Sequence, residues 1–166
     1  MFNVGDEIVY PMHGAGVIDS IEEKSVFEAF TAKHLAGWYG VNRFCGRCGT
    51  RTTRSNTERA ICCPSCGNTI YPKICPAVIV GTIKRGETKD KDQMLLTKYN
   101  RGIEYYALVA GFTEIGETFE ETVAREVMEE TGISVKNIQY YKSQPWGVAD
   151  DILAGFICEA DGEKAK

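Results

Sequence analysis

The stretch GFTEIGETFEETVAREVMEETGI, residues 111–133, decides how this chain is read. Thr118, followed three residues later by Glu121, has the form of a capping box, in which each side chain satisfies a backbone N–H of the other at a helix start. Gly132 offers the left-handed stop that ends many helices. The spacing therefore predicts a helix over 118–131, with Phe119, Val123 and Val127 as its buried stripe. At about 100° per residue, Glu126 and Glu130 project within about 40° of the Phe119/Val123 direction, and Glu129 sits beside them. Three carboxylates thus gather at the margin of the packed face, whereas an ordinary Glu-rich surface helix would carry them on its far side. Like charges this close repel, and desolvation adds to the cost. A divalent cation removes both penalties. Mg²⁺ or Mn²⁺ fits, because these hard ions take oxygen ligands and keep waters for substrate phosphates. Arg125 is placed to pair with Glu117 and hold the preceding loop, while Gly111 and Gly116 let that loop approach the metal.

Outward from the helix, composition limits the alternatives. The chain has 166 residues, 43% hydrophobic and 25% charged, as expected of one globular domain, or of one catalytic domain with a small satellite. No apolar run reaches the roughly 18 residues a membrane span needs, and the first ten residues carry Asp6 and Glu7 without the pattern of a secretion signal. A net charge of −4 gives no overall reason to expect a nucleic-acid coat protein. Seven cysteines are present, five of them between Cys45 and Cys66. Without an export signal this favours metal binding in a reducing cytoplasm over a disulfide framework.

Cys45-Gly-Arg-Cys48 and Cys63-Pro-Ser-Cys66 are two CxxC pairs separated by 14 residues, each followed by a glycine, Gly49 or Gly67. Four thiolates at this spacing suit a closed tetrahedral Zn²⁺ site with no position left for water. That zinc is structural, replacing a core too small to fold alone; a redox or iron–sulfur role is the alternative. Cys62, Cys75 and Cys158 are expected to be buried thiols, with Cys62 a competitor to Cys63 as ligand.

Elsewhere, short strands are expected at 7–10 and 17–18 around a turn holding His13, and an imperfect helix at 26–39. Further strands are expected at 77–83, 93–97, 105–109, 138–142 and 152–158, with a charged loop at 86–92. Strands around one well-defined helix indicate an α+β or α/β/α layered domain.

The run from Gly111 to Ile133 matches, position for position, the signature of the Nudix hydrolases: Gly, five residues, Glu, seven residues, Arg-Glu-aliphatic-any-Glu-Glu-any-Gly-aliphatic. That resemblance implies an α/β/α sandwich and metal-dependent cleavage of a nucleoside diphosphate linked to another group. It also implies Glu126 and Glu130 as principal metal ligands, Glu129 as ligand or general base, and the Ala110 carbonyl as a further ligand. Phe44-Cys-Gly-Arg-Cys-Gly49, Tyr71-Pro72 and Ser143-Gln-Pro-Trp146, ahead of and behind the signature, resemble the NADH pyrophosphatase branch from about residue 27 to 159. By that similarity the substrate is NAD(H), split to nicotinamide mononucleotide and AMP. NAD-capped RNA is a second substrate, a homodimer is the expected assembly, and Tyr71, Gln144, Pro145 and Trp146 line the nucleotide site. Read without the family, Trp146 is a core or interface aromatic.

Two departures from the pattern keep other readings open. The branch continues from Ser-Gln-Pro-Trp into Pro-Phe-Pro-any-Ser, while residues 147–151 here are Gly-Val-Ala-Asp-Asp, so ADP-ribose or another dinucleotide is the runner-up substrate. The branch also continues past the point where this chain ends, through an element carrying another metal-binding glutamate. Asp150, Asp151 or Glu159 would then substitute for it, or the protein would be a catalytically silent nucleotide- or polymerase-binding module. The first 24 residues resemble the start of CarD-like RNA-polymerase-binding domains. The expected division is a CarD-like fragment at 1–24, a helical linker at 25–43, a zinc ribbon at 44–72 and the hydrolase domain at 73–166.

Overall fold

The computed structural model describes residues 7–10, 14–17, 26–98, 106–147 and 149–162. His13 and its turn, Ile18 and Tyr105 lie outside them. Strands β1 (Glu7–Tyr10) and β2 (Gly14–Val17) pair antiparallel. Helix α1 (Val26–Val41) follows, two residues longer than the pattern predicts. Its Asn42 closes the end, donating from both backbone and side-chain nitrogens to the Trp38 carbonyl at 3.2 and 2.8 Å. Three two-residue strands, β3 (Thr53–Arg54), β4 (Ile61–Cys62) and β5 (Thr69–Ile70), then form a small antiparallel sheet.

The larger sheet is built on β6 (Cys75–Lys84). A 3-10 turn at Lys89–Lys91 leads to β7 (Gln93–Met94), which pairs with the end of β6. Next come β8 (Thr97–Lys98) and β9 (Tyr106–Ala107), which pair with each other. The single strand expected at 93–97 is thus two pieces, because the chain changes partner between Met94 and Thr97. Strand β10 (Val109–Phe112), helix α2 (Phe119–Thr131), β11 (Val135–Trp146) and β12 (Asp151–Ala160) complete the domain. The order is β10-β6-β12-β11, with β6 and β12 parallel and the other neighbours antiparallel. Parallel neighbours need a long crossover, and the segment carrying α2 supplies it. Strand β6 is buried on both faces, which explains its unbroken apolar run.

Helix α2 packs on β10, β6 and β11. Val123 and Val127 meet Val78, Val80, Val109, Ala154, Phe156 and Cys158 in the core. Phe119 departs from the expected stripe: it remains 36% exposed at the helix start, its ring 6.2 Å from that of Phe156. Thr122 and Thr131 are buried in its place, their hydroxyls donating to the Thr118 and Val127 carbonyls one turn back. Cys158 is buried as expected, whereas Cys62 and Cys75 are only half-buried. No helix among the described residues is long and apolar enough to cross a membrane.

Candidate active site

Both ends of α2 are fixed as its sequence dictates. The Glu121 amide donates to the Thr118 hydroxyl at 3.2 Å, and the Thr118 amide donates to the Glu121 carboxylate at 2.7 Å. Gly132 takes φ 73° and its N–H closes on the Met128 carbonyl. A helix pinned in this way holds Arg125, Glu126, Glu129 and Glu130 at fixed angles beside β10.

Arg125 organises the site. Its guanidinium grips Glu117 through two bonds of 2.6 and 2.9 Å, and reaches Glu126 at 2.8 Å and Glu129 at 3.1 Å. It also donates to the Phe112 carbonyl at 2.9 Å, so one side chain ties β10, the following loop and the helix together. Glu117 accepts further bonds from the Glu114 amide and the Thr122 hydroxyl, both at 3.0 Å. Arg125 first, and then the Glu114 amide, hold the Glu117 carboxyl down to about 2. The expected Arg125–Glu117 pair is present, and the additional bonds to Glu126 and Glu129 were not legible in the sequence.

Gly111 explains its own identity. A Cβ built there would strike the Glu126 carboxylate, so with glycine at 111 that acid lies directly against the backbone of β10, and a side chain there would push it aside. Gly116 takes φ 95°, which turns the loop toward Glu117. Glu126 is largely buried, with side-chain exposure of 14%, while Glu129 is 61% exposed. Glu130 is exposed as a residue, yet protein around its carboxyl, and then Glu126, push its pKa up. Among the described residues Glu130 makes no hydrogen bond or ion pair, which leaves both of its oxygens available.

The acids proposed as substitutes for a further ligand have other neighbours: Asp150 lies 3.8 Å from His34 Nε2. Glu159 is committed to Arg85 at 2.7 Å and to Asn137 at 2.8 Å. Asp151 alternates with Ala154 and Phe156 of the core and so faces away from α2. The nucleotide-site residues taken from the family pattern are all open to solvent: Tyr71 is 58% exposed and directs its hydroxyl to Glu58 at 3.3 Å, and Gln144, Pro145 and Trp146 are exposed at the end of β11. Phe112, which sequence reasoning passed over, is 51% exposed immediately after Gly111. Its position next to Gly111, the first residue of the signature, was the available signal.

The second cluster is the cysteine tetrad. Sγ atoms of Cys45, Cys48, Cys63 and Cys66 all lie within 4.8 Å of one another. Two matching knuckles place them: Gly49 and Gly67, at φ 75° and 70°, return N–H bonds to the carbonyls of Cys45 and Cys63. The Arg47 N–H lowers the Cys45 thiol and the Thr50 hydroxyl lowers Cys48 to about 6, whereas Cys66, despite the Asn68 N–H, is pushed up to about 11 by its sulfur neighbours, Cys48 first, the repulsion among four sulfurs that a bound cation relieves. Cys62 stands outside the tetrad, and four sulfurs suit zinc without room for water.

A NUDIX domain profile matches residues 76–166, an NADH pyrophosphatase zinc ribbon profile matches 42–71, and a CarD-like/TRCF RID domain profile matches 2–34. The last reaches ten residues beyond the expected 24, into α1. Proteins described as NAD-capped RNA hydrolase NudC are 44% identical over 133 residues in Pectobacterium carotovorum and 43% identical over 122 residues in Haemophilus influenzae. These alignments cover 80% and 71% of this chain, which spans about half the length of the curated relatives, 49% and 44%. A NUDIX hydrolase structure from Nitrosomonas europaea superposes with a TM-score of 0.57 at 27% identity, covering 74% of this chain and 70% of its own. With more than half of its residues inside the NUDIX match, and the acid-bearing helix among them, the chain belongs to the Nudix family.

Proposed function

We propose that this chain hydrolyses the diphosphate bond of NAD(H), giving nicotinamide mononucleotide and AMP, and acts on the same bond in NAD-capped RNA. The observation that carries the reading is the contact of Gly111 with Glu126 beside an Arg125 that grips Glu117, Glu126 and Glu129. It brings acids of one helix against a strand that ends in an exposed aromatic ring. The relatives described as NAD-capped RNA hydrolases, and the ribbon type ahead of the domain, support this substrate over ADP-ribose.

The carboxylate set fits Mg²⁺ or Mn²⁺, which prefer oxygen donors. Glu126 and Glu130 would be the main ligands, with Glu129 and the Ala110 carbonyl beside them. When bound, such an ion neutralises diphosphate charge and acidifies a water. Arg125 fixes the angle of Glu126 and keeps Glu117 ionised as its own counter-charge. Glu129, 61% exposed and held by Arg125 through one oxygen, would take a proton from the attacking water with the other. The Phe112 ring offers a platform for one base, and Tyr71, Gln144, Pro145 and Trp146 contact the rest of the dinucleotide. A homodimer in a reducing cytoplasm is the expected setting for a thiolate-bound zinc.

Turnover of NADH, ADP-ribose and NAD-capped RNA, each with Mg²⁺ and then Mn²⁺, tests the assignment. Hydrolysis of NADH and capped RNA is expected. Hydrolysis of ADP-ribose alone would replace the substrate, and binding without turnover would make the chain a silent module.

Gly111→Ala is a second test. The added methyl must push the Glu126 carboxylate aside, an overpacking that costs about 1–3 kcal/mol. Displacing a reacting group by about 1 Å costs on the order of 100-fold in rate. Lower thermal stability and a roughly 100-fold fall in kcat are expected. Full activity in this variant would mean that Glu126 has no role as a ligand.

A further inference from the structure

The charge of this protein is unevenly distributed. Five of its eight arginines, Arg43, Arg47, Arg51, Arg54 and Arg59, fall within the 30 residues of the ribbon, against a single acid, Glu58. The remainder carries 14 basic and 22 acidic side chains, so an acidic chain bears a basic module. Four thiolates around one Zn²⁺ leave a formal excess of two negative charges, and the ribbon is still net positive. All five arginines are exposed, and among the described residues none makes an ion pair. Unpaired arginines held this close repel one another, and a polyanion would relieve that repulsion.

Three of them line one groove. Arg43, Arg51 and Arg54 surround a cavity of about 260 Å³ together with Tyr39, Asn42 and Thr53. Its walls are stiff. Phe44 and Arg51 form a β-bridge, the Thr52 amide donates to the Arg43 carbonyl at 3.0 Å, and β3 pairs with β4 in the ribbon sheet. The Arg54 guanidinium stacks over the Tyr39 ring at 4.4 Å, with its N–H edge left for a partner. Phe44, next to Arg43 and Cys45 in the chain, is 60% exposed. Planar forks grip phosphate oxygens through paired bonds, and an exposed ring takes an unpaired base.

We infer that this arginine groove of the zinc ribbon binds the phosphate backbone of single-stranded RNA. Its setting rests on the proposed action on capped RNA: the groove would hold nucleotides downstream of the cap, while the acids of α2 act at its diphosphate.

The test uses a ten-nucleotide RNA with a 5′-hydroxyl, which carries no diphosphate, so it reports on the groove even if hydrolysis of NAD(H) is not observed. In fluorescence anisotropy the wild-type chain binds it, and log affinity falls with log salt at a slope of about 2 for three phosphate contacts. Arg43→Gln/Arg51→Gln/Arg54→Gln lowers the affinity at least tenfold and flattens the slope, with zinc content and hydrolysis of free NADH unchanged. On NAD-capped RNA the same variant raises KM and leaves kcat alone. Should the triple variant lose its zinc, Arg54→Gln, which removes only a stacked surface side chain, is expected to reduce the slope by itself. No binding by the wild type, equal binding by the folded variant, or a preference for an acidic peptide of equal charge overturns the inference.

Discussion

Glu130→Gln is expected to lower kcat for NADH hydrolysis by about 10³-fold or more while the melting temperature stays close to that of the wild type. The two halves of this expectation have separate causes. Glu130 makes no hydrogen bond or ion pair among the described residues, so the isosteric amide breaks nothing that holds the fold. Its carboxyl is pushed up by burial and by Glu126, which marks a charge placed where the protein does not neutralise it. Arg125, the cation of this cluster, is already divided among Glu117, Glu126 and Glu129. Removal of a positioned acid or base costs about 10²–10⁴-fold in rate, and loss of a metal ligand as well puts the effect toward the upper end. Steady-state kinetics over a Mg²⁺ and Mn²⁺ series, with thermal melting of the same samples, checks both halves. Near-normal activity at saturating Mg²⁺ would remove Glu130 from the mechanism. A large fall in melting temperature would make it a structural residue instead.

Cys63→Ser is expected to abolish zinc binding and unfold the ribbon while the larger sheet persists. Cys63 is buried, and its sulfur lies 3.5 Å from that of Cys48 across the tetrad. The ribbon sheet consists of three two-residue strands, too few apolar contacts to stand alone. Structural zinc supplies on the order of 10–16 kcal/mol in such modules, which is their folding free energy. Around β6 the core has no cysteine of the tetrad in it and keeps its own packing. Zinc content by atomic absorption should fall from about one per chain to near zero, and limited proteolysis should cut within 42–71 first. Zinc content unchanged from the wild type would show that the tetrad is not the zinc site. Cys62→Ser, from a half-buried thiol outside the tetrad, should leave the zinc in place.

Local sequence determined a great deal in this protein, because the forces involved act over a few residues. The capping box of Thr118 and Glu121, the stop at Gly132 and the two cysteine knuckles each close on themselves within one turn, and they form as their spacing requires. The acids of α2 were legible for the same reason, since helical angle is a local property. Tertiary structure decided what depends on pairing distant segments. Whether Phe119 is covered depends on how α2 lies on the sheet, and it stays at the rim while Thr122 takes a buried place. That Gly111 abuts Glu126 follows from β10 seating against α2, and which way Asp151 faces follows from its register with Cys75 of β6. The arginines of the ribbon were visible as letters, but only their folding around Tyr39 makes them a groove. Periodicity and capping are set by bonds between near neighbours, whereas the partner of a strand or a guanidinium is chosen by packing across the whole chain.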